Sequence, residues 1–374
     1  MIYDELRKEL DKMPIGMPKT TSGIELKLLK HLFTEEEALI ACNLNVLEER
    51  LNVVYKRIKK KNLNYSIEEL EKILDKMYWK GIIFSSTKEN EKKYSLGQLV
   101  IGIYEYQVDH LTEEFVNDFE QYIAEAFTEE IFKTKIPQMR IVPVNKEIAN
   151  DHHIAQYDDI RAIILNEPSN EFGVMNCVCQ QAKEIQGKNC SVTQLKERCI
   201  TLPSRNSFFK HKGVVRTITK EEVLLILDQA EEDGLVLQPG NTLRPYFICC
   251  CCGDCCGILS NVKQYQQPAK LFSSNYYAEI DQNLCIKCGI CVKRCQINAI
   301  EKNNEKFEIN LDRCIGCGSC TVKCPKNAIN LKKTKQTKTP YRNNGHLYRT
   351  IKFRKDGKIK SLINVFKVGM KKKL

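Results

Sequence analysis

The first third of the chain repeats apolar residues with the period of an α-helix. One apolar stripe lies between Ser66 and Gly81 and consists of Ile67, Leu70, Ile73, Leu74 and Met77. Ser66 with Glu69, like Thr34 with Glu37, has the spacing of a capping box, which marks a helix start. Glycine readily ends a helix. We therefore predict a helix that begins after Ser66 and ends at Gly81.

Two short apolar runs after this helix predict a β-hairpin. Ile82-Ile83-Phe84 and Tyr94-Ser95-Leu96 flank a polar turn around Asn90. Helix, strand, charged turn and strand in this order resemble a winged helix-turn-helix domain over roughly residues 20–105.

The charges of this region favour protein docking or dimerisation over DNA binding. The solvent side of the helix carries four acids, which DNA would repel, and they are Glu68, Glu69, Glu71 and Asp75. The basic run from Lys56 to Lys61 and the lysines of the hairpin turn instead favour DNA binding. Nucleic-acid binding is thus the less favoured alternative.

The elements that follow predict an α+β middle region. Residues 112–127 and 219–233 have helical apolar faces, and the second helix ends at Gly234. Met139–Val144 and Ile160–Leu165 are strand-like, and Val262–Tyr277 has the polar composition of a linker. We predict a multidomain α+β chain in four parts: a winged-helix-like domain (1–110), a cysteine-rich middle domain (111–260), a ferredoxin-like dicluster domain (261–334) and a basic tail (335–374).

Composition adds a chemical expectation. The 374 residues include 19 cysteines, carry a net charge of +11, and contain no apolar run long enough to span a membrane. The segment Met1–Glu5 has mixed charge and no apolar signal region, so we expect a soluble cytoplasmic protein. In a reducing compartment this many cysteines indicate metal or redox chemistry rather than disulfides.

The positive charge is confined to one end. Residues 331–374 hold 15 Lys or Arg and a single acid, whereas the rest of the chain has a net charge of −3. The tail is predicted to begin as polar, lysine-rich chain. It ends in a basic apolar stretch from Leu362 to Val368, which would dock on an acidic partner or a membrane surface. A solvated flexible tail is the alternative.

Two segments of the C-terminal third repeat each other at an offset of 29 residues. Each has the spacing C-x2-C-x2-C-x3-C, first from Cys285 to Cys295 and then from Cys314 to Cys324. The tandem pattern resembles the bacterial two-[4Fe-4S] ferredoxins. Gln296 departs from that family, which usually has proline at this position.

The resemblance implies two [4Fe-4S] clusters whose ligands cross between the repeats. One cluster would be held by Cys285, Cys288, Cys291 and Cys324. The other would be held by Cys314, Cys317, Cys320 and Cys295. Zinc is the alternative, but zinc does not require four cysteines in this tandem spacing. Two clusters in one small domain would serve one-electron transfer.

The middle region holds ten further cysteines, six of them between Cys249 and Cys256. Adjacent thiols repel one another once ionised, and a shared metal ion removes that repulsion. Four consecutive ligands to one centre are sterically awkward, so Cys250 is left out. The predicted ligands of this third site are Cys179, Cys190, Cys199, Cys249, Cys251, Cys252, Cys255 and Cys256. Cys42 is expected to be an ordinary buried residue.

The chemistry of the third site is open at this point between an iron–sulfur cluster, a structural zinc ion and a redox-active thiol pair. Gly253 and Gly257 predict a tight turn that folds Cys251 and Cys252 against the following pair of cysteines. Cys179 opens a predicted helix over residues 180–185, whose dipole is expected to lower the pKa of that thiol.

These observations favour an iron–sulfur electron-transfer protein. Its two clusters would exchange electrons with the third centre and with a redox partner protein. Two alternatives are a redox-sensing winged-helix transcriptional regulator and an oxidoreductase component with catalysis at the middle cysteines.

Overall fold

The computed structural model describes residues 1–88, 91–144, 155–203 and 213–357. The chain divides into two compact units. The first consists of Met1–Thr134 with Tyr348–Leu374, and the second of Lys135–Leu347. The predicted domain boundaries at residues 110, 260 and 334 stay predictions.

The first unit is mainly helical. Its helices are α1 (Ile2–Asp11), α2 (Ile24–Leu32), α3 (Glu35–Ala41), α4 (Leu51–Lys60), α5 (Ile67–Lys80), α6 (Glu113–Tyr122) and α7 (Thr128–Phe132). Strands β1 (Glu49–Arg50), β2 (Ile83–Lys88) and β3 (Glu91–Leu96) form an antiparallel sheet in the order β1-β3-β2.

Local sequence signals set the ends of these helices. Both predicted capping boxes are present, at Thr34 with Glu37 and at Ser66 with Glu69. Helix α5 ends at Gly81, whose φ of 84° is left-handed and therefore suits glycine. The predicted hairpin follows as β2 and β3, while its turn around Asn90 lies outside the described residues. The winged-helix assignment itself stays a prediction.

Part of the tail forms a packed helix. Residues 344–357 form helix α13, and Ile351 is fully buried. Lys355 contacts the Glu130 carboxylate and donates to the carbonyls of Asp11 and Met13, so this part of the tail packs on the first unit. The predicted amphipathic stretch from Leu362 to Val368 lies outside the described residues.

The second unit is built on a five-stranded antiparallel sheet in the order β6-β4-β5-β8-β7. These strands are β4 (Phe172–Asn176), β5 (Glu197–Thr201), β6 (Arg216–Ile218), β7 (Val236–Pro239) and β8 (Phe247–Cys251). The helices of the unit are α8 (Ile160–Leu165), α9 (Val178–Ile185), α10 (Lys220–Asp233), α11 (Gly257–Val262) and α12 (Ile290–Arg294). Two small antiparallel pairs complete it: β9 (Tyr276–Ile280) with β12 (Ile329–Lys333), and β10 (Ile300–Asn303) with β11 (Lys306–Ile309).

One face of the five-stranded sheet borders the apolar core. Helix α10 begins after Thr219, ends at Gly234 as predicted, and buries Val223, Leu227 and Ala230 in that core. Side chains alternate between the two faces of a strand, so Ile248 and Cys250 point into the core while Cys249 and Cys251 point away from it.

Three expectations for this unit need correction. Ile160–Leu165 is a helix rather than a strand, because Asp159 caps its first turn by accepting from the backbone N–H groups of Arg161 and Ala162. Residues 139–144 are bridged to neighbouring chain at isolated positions and do not form a regular strand. The predicted linker is packed: Phe272 is buried, and the buried Asn275 side chain donates to Asp158. Helices and strands together fit the predicted α+β class. None of the helices within the described ranges is long and apolar enough to cross a bilayer.

Candidate metal centres

The structure brings the eight cysteines of the tandem repeat to two cavities. The first cavity is lined by Cys285, Cys288, Cys291 and Cys324. The second is lined by Cys314, Cys317, Cys320 and Cys295. In each cavity three cysteines come from one repeat and the fourth from the other, which is the arrangement that the resemblance implied.

Backbone N–H groups point at the crossing cysteines in both repeats. Ala299 N–H donates to Cys295 Sγ at 3.1 Å, and Ala328 N–H, 29 residues later, donates to Cys324 Sγ at 3.2 Å. Such donors stabilise negative charge on a thiolate and hold its orientation toward a metal. The two repeats therefore support their fourth ligands in the same way.

The two cavities differ in exposure. Cys288 in the first cavity is exposed, and the neighbouring Ile286 is 56% exposed. Cys320 in the second cavity is buried. The wall of the second cavity is bonded to the rest of the unit, since Val144 N–H donates to Cys317 O and Ser319 Oγ donates to Leu235 O. The first cavity thus has the more exposed cysteine, and the wall of the second is bonded to the rest of the unit.

Three of the ten middle cysteines lie around one carboxylate. Atoms of Cys190, Cys252, Cys255 and Asp254 all lie within 4.8 Å of one another, and we call them the three-thiol site. Cys190 Sγ is 3.7 Å from Cys252 Sγ. Ser191 donates to Asp254 from both its N–H and its hydroxyl at 2.8 Å. Burial raises the pKa of Asp254, but hydrogen bonds from Cys252 and Ser191 outweigh that effect and keep the pKa below its ordinary value.

Six other thiols form a continuous series of contacts. Cys199 pairs with Cys249 across β5 and β8, and the Cys199 thiol raises the pKa of Cys249. The series continues from Cys249 to Cys251 and from Cys251 to Cys256. It then runs from Cys256 to Cys179 and ends at Cys177. We call this set the six-thiol group: Cys177, Cys179, Cys199, Cys249, Cys251 and Cys256. The predicted turn at Gly253 is present and makes these contacts possible.

One expectation about reactivity in this group is wrong. Helix α9 exists and begins at Val178, but the pKa of Cys179 is not lowered. The contact with Cys177 does lower it, yet the contact with Cys256 and burial outweigh that effect and raise the pKa of Cys179 above its ordinary value.

Two cysteines lie apart from both sets. Cys250 is buried in the apolar core of the unit, where burial raises its pKa to about 12. Cys42 is buried at the end of α3, as expected of an ordinary core residue.

A buried arginine lies beside these thiols. Arg198 is only 1% exposed and its Nη2 donates to Cys252 Sγ at 3.5 Å. Its Nε and Nη1 have no hydrogen-bond partner among the described residues. Burial alone would lower the pKa of Arg198, but Cys177 and Cys252 raise it above its ordinary value, so the guanidinium is charged.

The cysteine run and the second cavity are joined by a hydrogen bond. Gly253 N–H, between Cys252 and Asp254, donates to the Gln296 side chain at 2.7 Å. Gln296 directly follows Cys295, which lines the second cavity. A Cβ atom at Gly253 would overlap the backbone oxygen of Gln296, so the two segments are in direct contact.

Comparison with known proteins identifies one part of the chain. Residues 278–331 match the family model of the 4Fe-4S dicluster domain. No curated protein and no solved structure shows a significant match to the chain. The second unit therefore contains a ferredoxin-like, metal-binding 4Fe-4S domain. Together with the clustered cysteines, this domain indicates iron–sulfur electron transfer. The comparisons support neither the N-terminal winged helix nor a specifically bacterial type of ferredoxin.

Sequence reasoning missed four residues of these sites. Cys177 forms a C-x-C pair with the predicted Cys179, and Asp254 lies inside the cysteine run, so both had a local signal. Gln296 departs from the family pattern, but the sequence does not predict its contact with Gly253. Arg198 had no signal, because nothing near it in sequence distinguishes a buried arginine from an exposed one.

Proposed function

We propose that this chain is an iron–sulfur electron-transfer protein that passes single electrons through two [4Fe-4S] clusters to or from a metal centre among the middle cysteines. Four thiols around each cavity supply the ligand number that a [4Fe-4S] cluster requires. The N–H donors to Cys295 and Cys324 suit thiolates that bind metal. A bound [4Fe-4S] cluster takes up and releases one electron.

The hydrogen bond between Gln296 and Gly253 carries the proposal. It connects the segment of Cys295, at the second cavity, to the run Cys251-Cys252, since Gln296 directly follows Cys295 and Gly253 directly follows Cys252. Gln296 is 6% exposed, so this connection excludes water. A short, dry, bonded contact is what one-electron transfer between two centres needs.

The exposed first cavity is where a redox partner protein would approach. Cys288 reaches the surface there, beside the apolar side chains of Leu284 and Ile286, which are 51% and 56% exposed. Apolar surface around an electron-transfer site suits transient protein docking. We place partner exchange at this face and internal exchange at the second cavity.

The test compares two glutamine variants of the whole chain, reconstituted anaerobically with iron and sulfide. Q296M removes the acceptor and leaves the buried Gly253 N–H unpaired, at a cost of about 1–3 kcal/mol. We expect it to keep about eight dicluster irons. Reduction of the middle centre after a pulse of reductant should slow several-fold, as followed by rapid-freeze paramagnetic resonance.

The control is Q282M. Gln282 also lies in the dicluster domain, but it is exposed and donates to Phe307 O in the same domain. We expect wild-type rates from it. Equal rates in Q296M and wild type, or a middle region that contains no redox-active metal, would contradict the proposal.

A further inference from the structure

The middle cysteines lie on two sides of one sheet. Cys199, Cys249 and Cys251 lie on the face of β5 and β8 that points away from the core. The cysteines of the three-thiol site belong instead to the apolar core cluster on the other face. The rest of the six-thiol group is joined to the first face by thiol contacts. A single compact site cannot include both sets without crossing the sheet.

The three-thiol site has the spacing of ligands to one metal ion. In a tetrahedral site with metal–sulfur bonds of about 2.3 Å, sulfur atoms stand about 3.8 Å apart. Cys190 Sγ and Cys252 Sγ are 3.7 Å apart. Cys255 and Asp254 complete four donors within 4.8 Å of one another, and among the described residues this is the group that meets that spacing. Three thiolates and one carboxylate suit a single divalent ion.

The six-thiol group cannot serve one tetrahedral ion. Four ligands complete such an ion, so six thiolates need at least two metal ions. The contacts run as a series from Cys199 to Cys177, and this extended arrangement differs from the compact spacing of the three-thiol site. In a cluster the thiolates bind different metal ions, so they do not all have to lie within the spacing of the ligands of one ion. An iron–sulfur cluster with several irons fits this group.

A buried arginine lies against the three-thiol site. A buried charge is costly unless opposite charge lies close by. The Arg198 guanidinium contacts Cys252 of the three-thiol site and acts on Cys177 and Cys251 of the six-thiol group. Thiolates crowded to this degree are held together by metal ions. The buried arginine thus places a cation within hydrogen-bond distance of Cys252 in the three-thiol site.

We propose that the middle region holds two separate metal centres: a single divalent ion at Cys190, Cys252, Cys255 and Asp254, and a polynuclear iron–sulfur cluster at the six-thiol group. This proposal extends the proposed function. It rests on that function only for the redox role of the cluster at the six-thiol group. Since Cys251 and Cys252 are adjacent, the two centres are neighbours along the chain.

The test counts metals in paired variants. Whole chains are reconstituted anaerobically with iron, sulfide and zinc, and iron, sulfide and zinc are measured per chain. C190A/C255A should lose one ion and no sulfide. C179A/C256A should keep that ion and lose the iron and sulfide in excess of the dicluster complement. C250A is the matched control, because it makes the same change in a buried cysteine that belongs to neither set; it should lose nothing.

Loss of the same metals from both double variants would overturn the two-centre proposal and leave a single middle centre, which the proposed function requires. If the wild-type chain holds no metal beyond that of the dicluster domain, the two-centre proposal and the proposed function are both overturned. The dicluster iron of each variant reports whether the chain has folded. Mössbauer spectra of wild-type protein enriched in ⁵⁷Fe need no variant. They should show polynuclear iron beyond two cubanes, and further iron without further sulfide would contradict the six-thiol cluster.

Discussion

The two halves of the dicluster domain share a motif and differ in their surroundings. At equivalent positions the backbone is left-handed in both halves, with φ of 61° at Lys287 and 66° at Gly316. The first half faces solvent, and its left-handed residue is a lysine. In the second half Gly316 packs so closely on Tyr276 that a Cβ would overlap the Tyr276 carbonyl. Identical backbone geometry thus tolerates a side chain only where nothing packs against it.

The same contrast holds at other equivalent positions. Gly289 has only the Phe307 ring near its missing Cβ, at 3.6 Å, whereas a Cβ at Gly318 would lie 2.8 Å from Val144. Gln296 bonds to the cysteine run, whereas its equivalent, Pro325, lines the solvent-facing first cavity. The repeat therefore builds two similar cavities, and the second is the one surrounded by close contacts, from Gly316 and Gly318 of the second half and Gln296 of the first.

The largest expected effect comes from G316A. The left-handed backbone costs about 1–2 kcal/mol with a Cβ, and overpacking adds about 1–3 kcal/mol. We expect the variant to lose the second cluster and to retain about half of the dicluster iron. The matched change K287A, at the same position of the first half, should retain all of it. Iron content and thermal unfolding under anaerobic conditions measure both. Similar losses from the two variants would show that the halves do not differ as described.

A smaller effect is expected from exposure to air. The first cavity has the exposed Cys288, whereas Cys320 in the second is buried. Oxygen should therefore remove the first cluster several-fold faster than the second. The decay of the two signals in paramagnetic resonance of reduced samples, taken at intervals after exposure, measures this. Simultaneous decay would contradict the difference in access.

The smallest effects concern two equivalent basic residues. Arg294 donates to the carbonyls of Ser319, Glu231 and Glu232, which tie the dicluster domain to α10. Charged hydrogen bonds are the stronger kind, so R294A should cost about 2–3 kcal/mol of unfolding free energy. Lys323, its equivalent, pairs with Glu232 at the surface, so K323A should cost less than about 1 kcal/mol.

Denaturant unfolding of the holoprotein under anaerobic conditions measures the two basic-residue variants. A larger loss from K323A than from R294A would mean that the interface with α10 is not held by Arg294.

Local signals allowed much of the fold to be predicted. The capping boxes at Ser66 and Thr34 and the glycines after α5 and α10 act within one helical turn, so their effect needs no distant contact. The run Ile160–Leu165 was ambiguous because a short, mainly apolar run suits either a buried strand or a buried helix. Asp159 and the packing of α8 beside α10 decide for the helix.

The metal sites also divide into features that local sequence predicts and features that depend on tertiary packing. The spacing of the tandem repeat was sufficient to group eight cysteines, since its cysteines are fixed by short loops. Eight of the ten middle cysteines were grouped as one site, because a list of thiols does not show on which face of a sheet each one lies. Strand alternation in β8 separates Cys249 and Cys251 from Cys250, and that separation became visible only with the strand boundaries.

By itself, the sequence determined the chemistry: cysteines at dicluster spacing, a second thiol-rich region, and a positive charge confined to the tail. These are local or compositional properties. Only the tertiary structure decided that the second cavity adjoins the cysteine run through Gln296 and Gly253, and that Arg198 is buried among thiols. Each of these contacts joins residues at least 40 positions apart, and their proximity follows from how the sheet and the dicluster domain pack rather than from any neighbouring residue.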